Sequence, residues 1–446
     1  MVGLFVLFLT ICLYSSSFKA LALAIFVGFL DADYGGYCII PNNITGVNNI
    51  DLAIIFGLYV ILKEKRNLSV IDDSIGKKIL FFFLFTICVL LFSLFYYDLS
   101  IGESLKNGRI FMMFPLVYFV FKCQTYSILN KTMTYVYRFI ALSSFFYILQ
   151  IIISAPIMPY FLEMKMHNFM GINVPRFYNF PPFISIACIV VFYYTATLKT
   201  IEIRIYKFLY IGAVICTFGR TLIFTVVLTL LLFRLFKTKS FKLTVFLLLG
   251  ILFLTIDYIM SLNVDNRTIL DIQNSFSGNF VNNPYGLNGD STLSFRFAWF
   301  YERLDYLIHA PLYETIFGLG WFSEESASKI YDFIIGLKSD RGLPVQLYIP
   351  DISYGLILVR LGLGGLFIYL YLVVSIFLVF LNRRRIDDIS LLITVLLISN
   401  VILGFSGLVL AYSFSFALLF ILYFISIKYN QNEKYYANSN HNYSNL

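Results

Sequence analysis

Asp351 follows Pro350 directly and opens an apolar run, at the end of the longest polar stretch in the chain. An acid held at the water end of a membrane span is a functional candidate by default, and its carboxylate can take a proton from a hydroxyl. The same polar stretch carries Arg296, Arg303 and His309. Two more arginines stand apart: Arg176, inside the Pro- and aromatic-rich VPRFYNFPP, and Arg220, which follows Gly219 between two short apolar runs in CTFGRTLIFTVV. An arginine in that second setting is costly unless it faces water, a carboxylate or a phosphate. Arginines also hold phosphates bidentately without a metal ion. One carboxylate and several arginines therefore suffice to deprotonate a hydroxyl and stabilise a departing phosphate.

Each of these residues has a plainer role open to it. Asp351 suits a helix start, where an acid caps free N–H groups and meets the positive end of the dipole. Arg296 or Arg303 can pair with Glu302 or Asp305 on a solvated helix face, Arg220 can snorkel to the surface, and His309 beside Pro311 fits a structural role. Asp31 and Asp33 form a D-x-D that reads either as interfacial or as a metal and phosphate site. The six cysteines are scattered without paired metal spacing, which points to neither a zinc site nor a disulfide framework.

The elements that must position these side chains are set by composition. Of 446 residues, 59% are hydrophobic, 19% aromatic and only 13% charged; a soluble chain would carry roughly a quarter charged residues. Continuous apolar runs rather than alternating ones argue against a β-barrel, so the expected fold is an all-α polytopic integral membrane protein. Spans are expected near 2–15, 19–31, 50–63, 79–97, 109–122, 138–156, 181–198, 205–219, 220–236, 241–262, 352–380, 389–404 and 407–427, about 12 to 14 in all. The net charge of +8 does not indicate nucleic acid. Its basic residues, KEKR at 63–66, Lys77 and Lys78, Lys199 to Lys207, Lys237 to Lys242 and RRR at 383–385, fall in short segments that alternation puts on one, cytoplasmic, side. The first apolar run meets no small-residue cleavage site and reads as a span. The expected organisation is an N-terminal membrane bundle at 1–262, a large outer loop at 263–351, C-terminal helices at 352–427 and a polar cytoplasmic tail at 428–446. A loop that long is uncommon unless it carries function.

In order along the chain, Arg176 in an outer loop, FGRT between two half-length spans, R-x2-W at Arg296 and Trp299, P-x6-G-x-G at Pro311, Gly318 and Gly320, and Asp351 eleven residues before GLGG at Gly362 to Gly365 together resemble the O-antigen polymerase and ligase superfamily of bacterial envelope glycosyltransferases. The matching stretch runs from about 170 to 370 and the topology extends the likeness further. The resemblance implies a GT-C-like enzyme without metal or other cofactor, at the periplasmic face of the bacterial inner membrane. Its partners would be lipid-linked oligosaccharides, membrane lipid and a separate chain-length regulator. The ligase branch usually carries His where this chain has Asp351, which favours polymerase over ligase, although the spacing from His309 to Gly320 is similar to a ligase-type signature. Related peptidoglycan polymerases place an Asp at a comparable loop end, but the rest of their motif is absent here.

The expected chemistry is transfer of a growing glycan from undecaprenyl pyrophosphate to the next lipid-linked repeat unit. Asp351 would be the base, Arg176, Arg220 and Arg296 would bind pyrophosphate, and Arg303 and His309 are secondary candidates. Pyrophosphate leaves without a proton, so the second carboxylate of a glycosidase is not needed. Were Asp31 and Asp33 a working D-x-D, as in other GT-C enzymes, the donor would instead be a polyprenyl monophosphate sugar with a divalent ion. A lipid-linked oligosaccharide flippase is a further alternative, disfavoured by the large outer loop and by spans mostly free of charge.

Overall fold

The computed structural model describes residues 2–30, 37, 48–65, 73–158, 164–169, 172–177, 181, 183–238, 267–282, 284, 293–336, 345–348, 352–384, 387–404 and 416–429. Short polar residues start several of the apolar runs as helices. Asn48 accepts from the Ile50 N–H at the start of α3 (Asn49–Lys63), Asp73 from Ile75 at α4 (Ser74–Tyr96), Ser100 from Glu103 at α5 (Ile101–Lys122) and Thr125 from Ile128 at α6 (Tyr126–Ile153). These caps occupy backbone donors that a helix leaves without partners. Before them lie α1 (Val2–Ser15) and α2 (Lys19–Phe29). After them come α7 (Ile184–Tyr193), α8 (Thr200–Cys216) and α9 (Arg220–Thr238).

Against the all-α expectation, Met164–Phe169 (β1) and Ile172–Phe177 (β2) form an antiparallel hairpin, with Lys165 opposite Arg176. Ile172 and Val174 favour extended backbone on the second strand, where Pro175 also disfavours a helix. It is anchored to α6, whose Tyr147 hydroxyl donates to the Phe177 carbonyl at 2.9 Å.

The polar stretch contributes α10 (Arg267–Phe276), α11 (Leu293–His309), α12 (Leu312–Phe317) and α13 (Glu324–Ala327). The chain then enters α14 (Ser353–Arg383), followed by α15 (Asp388–Leu403) and α16 (Phe416–Tyr429). The expected span at 241–262 and the tail from 430 lie outside the described residues.

Among the described residues, α4, α6 and α14 are long and apolar enough to cross a membrane, and α1, α2, α7, α15 and α16 are shorter apolar helices. The protein is thus mostly helical with the character of a membrane protein. Its exposed surface supports the same conclusion. On α14, Phe367, Tyr371, Val374 and Leu378 are all exposed and recur at helical spacing, and α4 exposes Leu80, Phe81, Leu84, Leu91 and Phe95. Stripes of large apolar side chains facing outward are stable where lipid, not water, is the neighbour.

Polar contacts gather at the two ends of the helices, with an apolar core between. At one end Asp73 accepts from Tyr118 and, at 3.2 Å, from Tyr423. There too Tyr14 links Glu64 with Gln124, Lys428 donates to the Lys122 and Gln124 carbonyls, and Lys237 meets Asp388. At the other end Arg109 pairs with Asp51 and the Ser353 N–H donates to the Gly404 carbonyl. Helix ends that the charge pattern assigns to one side therefore meet one another.

A straight helix of 31 residues would be about 46 Å long, well beyond the roughly 30 Å hydrocarbon core. Helix α14 is not straight: Gly362 breaks it with φ 70° and ψ −175°. The segment before the break, 353–361, is buried on every side, whereas the lipid-facing stripe belongs to the segment after it. The first part is consequently a helix wrapped in protein: α15, whose Val401 carbonyl accepts from the Tyr354 hydroxyl, covers part of it, and the polar stretch covers much of the rest.

Candidate functional site

The wrapping starts with glycines. After α12, Gly318 and Gly320 take φ 81° and 89°, the left-handed region open to glycine. This lets the chain turn directly onto the break in α14, where the Leu319 N–H donates to the Val359 carbonyl at 2.8 Å. A Cβ on Gly318 would lie 2.5 Å from the Gly362 nitrogen and 2.7 Å from the Val359 oxygen. The two glycine motifs, about forty residues apart in sequence, are one backbone-to-backbone contact.

Arg360 fastens this contact from inside. It is 5% exposed, and its Nη1 donates to the Phe322 carbonyl at 2.6 Å and the Gly320 carbonyl at 3.4 Å. The carboxylates of Glu103 and Glu324 act on it electrostatically. Glu324 accepts the N–H groups of Gln346 and Leu347, and Glu103 accepts that of Ser323 at 2.8 Å. Partial burial pushes the Glu103 carboxyl up, but the Ser323 N–H, the Ser326 and Ser323 hydroxyls and the charge of Lys329 outweigh it and hold it below the usual range. Close by, the Trp321 ring packs against Gly108 of α5, leaving no room for a side chain there, and the Trp321 backbone N–H donates to the Ser93 hydroxyl.

Helix α11 packs over the start of α14, with Trp299 against Gly355. Arg303, one turn on, is fully buried. Its guanidinium is sandwiched between Trp299 and Phe333, 4.3 Å and 4.4 Å from the ring centres. It donates to the Gln346 carbonyl at 3.2 Å and pairs with Glu302. This is not the solvated helix face that the sequence allows: stacking on two aromatic rings and hydrogen bonding to backbone carbonyls let the arginine stay charged in the interior. Glu302 in turn accepts the N–H groups of Ile334 and Ile335.

Outward from this wall, Glu302, Asp305, Tyr306 and His309 share one face of α11. With Pro311 and Phe333 they line an open cleft of about 550 Å³. His309 is 75% exposed and its Nδ1 lies 2.9 Å from the Asp305 carbonyl oxygen. Behind the cleft a buried carboxylate, Glu314, accepts from the hydroxyls of Tyr306 and Tyr97, each at 3.1 Å. Tyr97 also meets Tyr331, whose hydroxyl donates to the Leu319 carbonyl. Burial and the Glu314 carboxylate push the Tyr306 phenol up to about 12, so Tyr306 is a hydrogen-bond donor at neutral pH.

The remaining expected residues ride on separate elements. Arg176 is half-buried on β2, Arg220 opens α9, and Arg296 is half-buried on α11 one turn before Trp299. The FGRT turn joins α8 to α9 with Phe218 at φ 48°, and α7 packs against both helices. Asp351, like Asp31 and Asp33, lies outside the described residues. The N-cap of α14 is its neighbour Ile352, which makes no side-chain capping bond.

Glu314, Tyr97 and Arg360 were not among the residues singled out from sequence. Arg360 did carry a visible signal, being a lone cation inside an apolar run. Glu314 did not, because its burial depends on tyrosines distant in sequence. No family model matches the chain, and comparison with curated proteins finds no match.

Proposed function

We propose that this protein is a GT-C-like polysaccharide polymerase of the bacterial inner membrane. It transfers a growing glycan from undecaprenyl pyrophosphate to the next lipid-linked repeat unit at the periplasmic face, making O-antigen or a related surface polysaccharide. The observation that carries the reading is the contact of Gly318 with Gly362. Two motifs of the glycosyltransferase resemblance, P-x6-G-x-G and GLGG, are thereby parts of one unit around the start of α14, immediately after Asp351.

In this reading the acceptor hydroxyl attacks the anomeric carbon of the donor, and the bond from that carbon to the pyrophosphate oxygen breaks. The hydroxyl proton passes to the Asp351 carboxylate. Arg176, Arg220 and Arg296 hold the pyrophosphates, whose charge rises as the bond breaks. A chain-length regulator would act as a separate partner.

The test is the glycan ladder from cells lacking the protein and complemented at matched levels with wild type, Asp351→Asn or Asp31→Asn/Asp33→Asn. Lipid core carrying a single repeat unit with Asp351→Asn, and a full ladder with the double variant, is the expected result. A normal ladder with Asp351→Asn removes the catalytic assignment. Loss of even the single-repeat band in the null strain points to a ligase or flippase instead.

A further inference from the structure

We infer that the cleft lined by Asp305, Tyr306, His309, Pro311 and Phe333 is a subsite for the hydroxyl-rich sugar chain of the substrate, and not for its pyrophosphate. The inference rests on the polymerase reading and adds to it a location and a chemistry.

Hydrogen-bond polarity at the rim is the first argument. The Asp305 side chain is 55% exposed and ends in a carboxylate, which only accepts when ionised. His309 Nδ1 lies 2.9 Å from the Asp305 backbone carbonyl oxygen and 3.6 Å from its carboxylate; since those oxygens accept, Nδ1 carries a proton, and Nε2 is left as an acceptor whenever the ring holds only that one. The rim therefore asks for donors. Sugar hydroxyls supply them, while an ionised pyrophosphate brings further acceptors and negative charge toward Asp305.

The arginine behind the wall does not change this balance. Arg303 has no exposed surface, and Glu302 takes up its charge behind Phe333. The Glu302 carboxylate is itself occupied by that guanidinium and by the Ile334 and Ile335 N–H groups, so it braces the wall.

The walls are the second argument. Tyr306 and Phe333 meet edge to face with ring centres 5.3 Å apart, and Tyr306 is partly open to the cleft. Aromatic and proline surface beside a few polar acceptors suits the apolar C–H face and polar rim of a pyranose ring. The cleft volume of about 550 Å³ is within the roughly 300–1,000 Å³ of small-molecule sites. No group of three or more metal-ligating side chains occurs among the described residues, and two acceptors alone do not make a cation site.

The experiment uses the purified full chain in lipid nanodiscs, titrated with the delipidated repeat-unit oligosaccharide of the source cell and followed by saturation-transfer NMR. Saturable binding to the wild type, unaffected by sodium pyrophosphate, is expected. Binding at least about tenfold weaker to Asp305→Ala/His309→Ala is also expected, since the loss of the bond to the charged Asp305 alone is of that scale. Both side chains are exposed, so the thermal melt of this variant should match the wild type. No saturable binding, equal affinity in the variant, or displacement by pyrophosphate would each overturn the assignment. The two readings fail separately. Binding that maps to the cleft, in a protein whose loss leaves the cellular ladder unchanged, sinks the polymerase reading alone. A ladder that needs the protein, with oligosaccharide binding indifferent to Asp305 and His309, sinks the cleft alone.

Discussion

Gly318 and Gly362 meet with no room for a side chain on either: a Cβ on the first would lie 2.5 Å from the nitrogen of the second, and one on the second would press as closely on the first. Both also hold positive φ, at 81° and 70°, where an L side chain costs roughly 1–2 kcal/mol before any clash. Because the obstructing atoms are backbone, neither can rotate away. Gly318→Ala and Gly362→Ala should each destabilise by about 3 kcal/mol or more. Gly102, in the first turn of α5, has nothing within 4 Å of its would-be Cβ. Gly102→Ala should be neutral or stabilising by up to about 1 kcal/mol, from helix propensity. Thermal melts of the detergent-purified variants check the contrast, and equal melts for Gly318→Ala and Gly102→Ala would refute the packing account.

Arg303 is a wall and not a phosphate ligand in this geometry, and stability separates the two roles. Arg303→Met leaves the Glu302 carboxylate and the Gln346 carbonyl without their cation, at a cost of about 3–5 kcal/mol. Arg303→Lys keeps the charge but not the planar group that stacks between Trp299 and Phe333, so it should restore only part of the loss. Both variants should lower the melting temperature and the amount of protein in the membrane. A phosphate ligand would behave otherwise, with normal melting and a missing glycan ladder.

Glu103 provides a pH-dependent tie between α5 and the polar stretch. Its carboxyl titrates below the ordinary value of 4.5 in the folded protein. It therefore contributes stability above that value and loses it as pH falls through the lower, folded value. Wild type should melt higher than Glu103→Gln near neutral pH, and the gap should close as pH falls through the lowered folded value. A gap that persists or widens in acid would contradict the assigned contacts with Ser323 and Ser326.

Much of the helical framework was legible because lipid leaves so few ways to satisfy a backbone: apolar runs closed by Lys and Arg give the approximate course of α4, α6 and α14 directly. Length was less legible. The helix expected at 138–156 begins at Tyr126, since its first turns are polar enough to read as loop yet extend the same cap-initiated helix. The hairpin at 164–177 was missed because its two strands are six residues each and sit in a loop too short and mixed to show a clear period. The glycine motifs were visible as a pattern, but not as a contact, because nothing local states that Gly318 must meet Gly362. Arg303 was misleading in the same way: Glu302 and Asp305 beside it suggest a solvated face, and only the placement of Phe333 and Gln346 puts it inside.

Arg360 gives the most demanding prediction, because its partners are carbonyls rather than an acid in direct contact. Removing its guanidinium strands the Gly320 and Phe322 carbonyl oxygens and takes away the cation that Glu103 and Glu324 both act on. Each buried carbonyl left without a donor costs about 1–3 kcal/mol, so Arg360→Met should destabilise by several kcal/mol. Arg360→Lys keeps the charge on a single nitrogen with three donors and should be intermediate. The combination with Gly318→Ala decides whether the arginine serves the glycine contact. Residues acting on one contact are non-additive, so the double variant should melt well above the temperature expected from summing the two single losses. Strict additivity would mean that Arg360 stabilises α14 independently, and would remove it from the unit that holds the polar stretch against the break at Gly362.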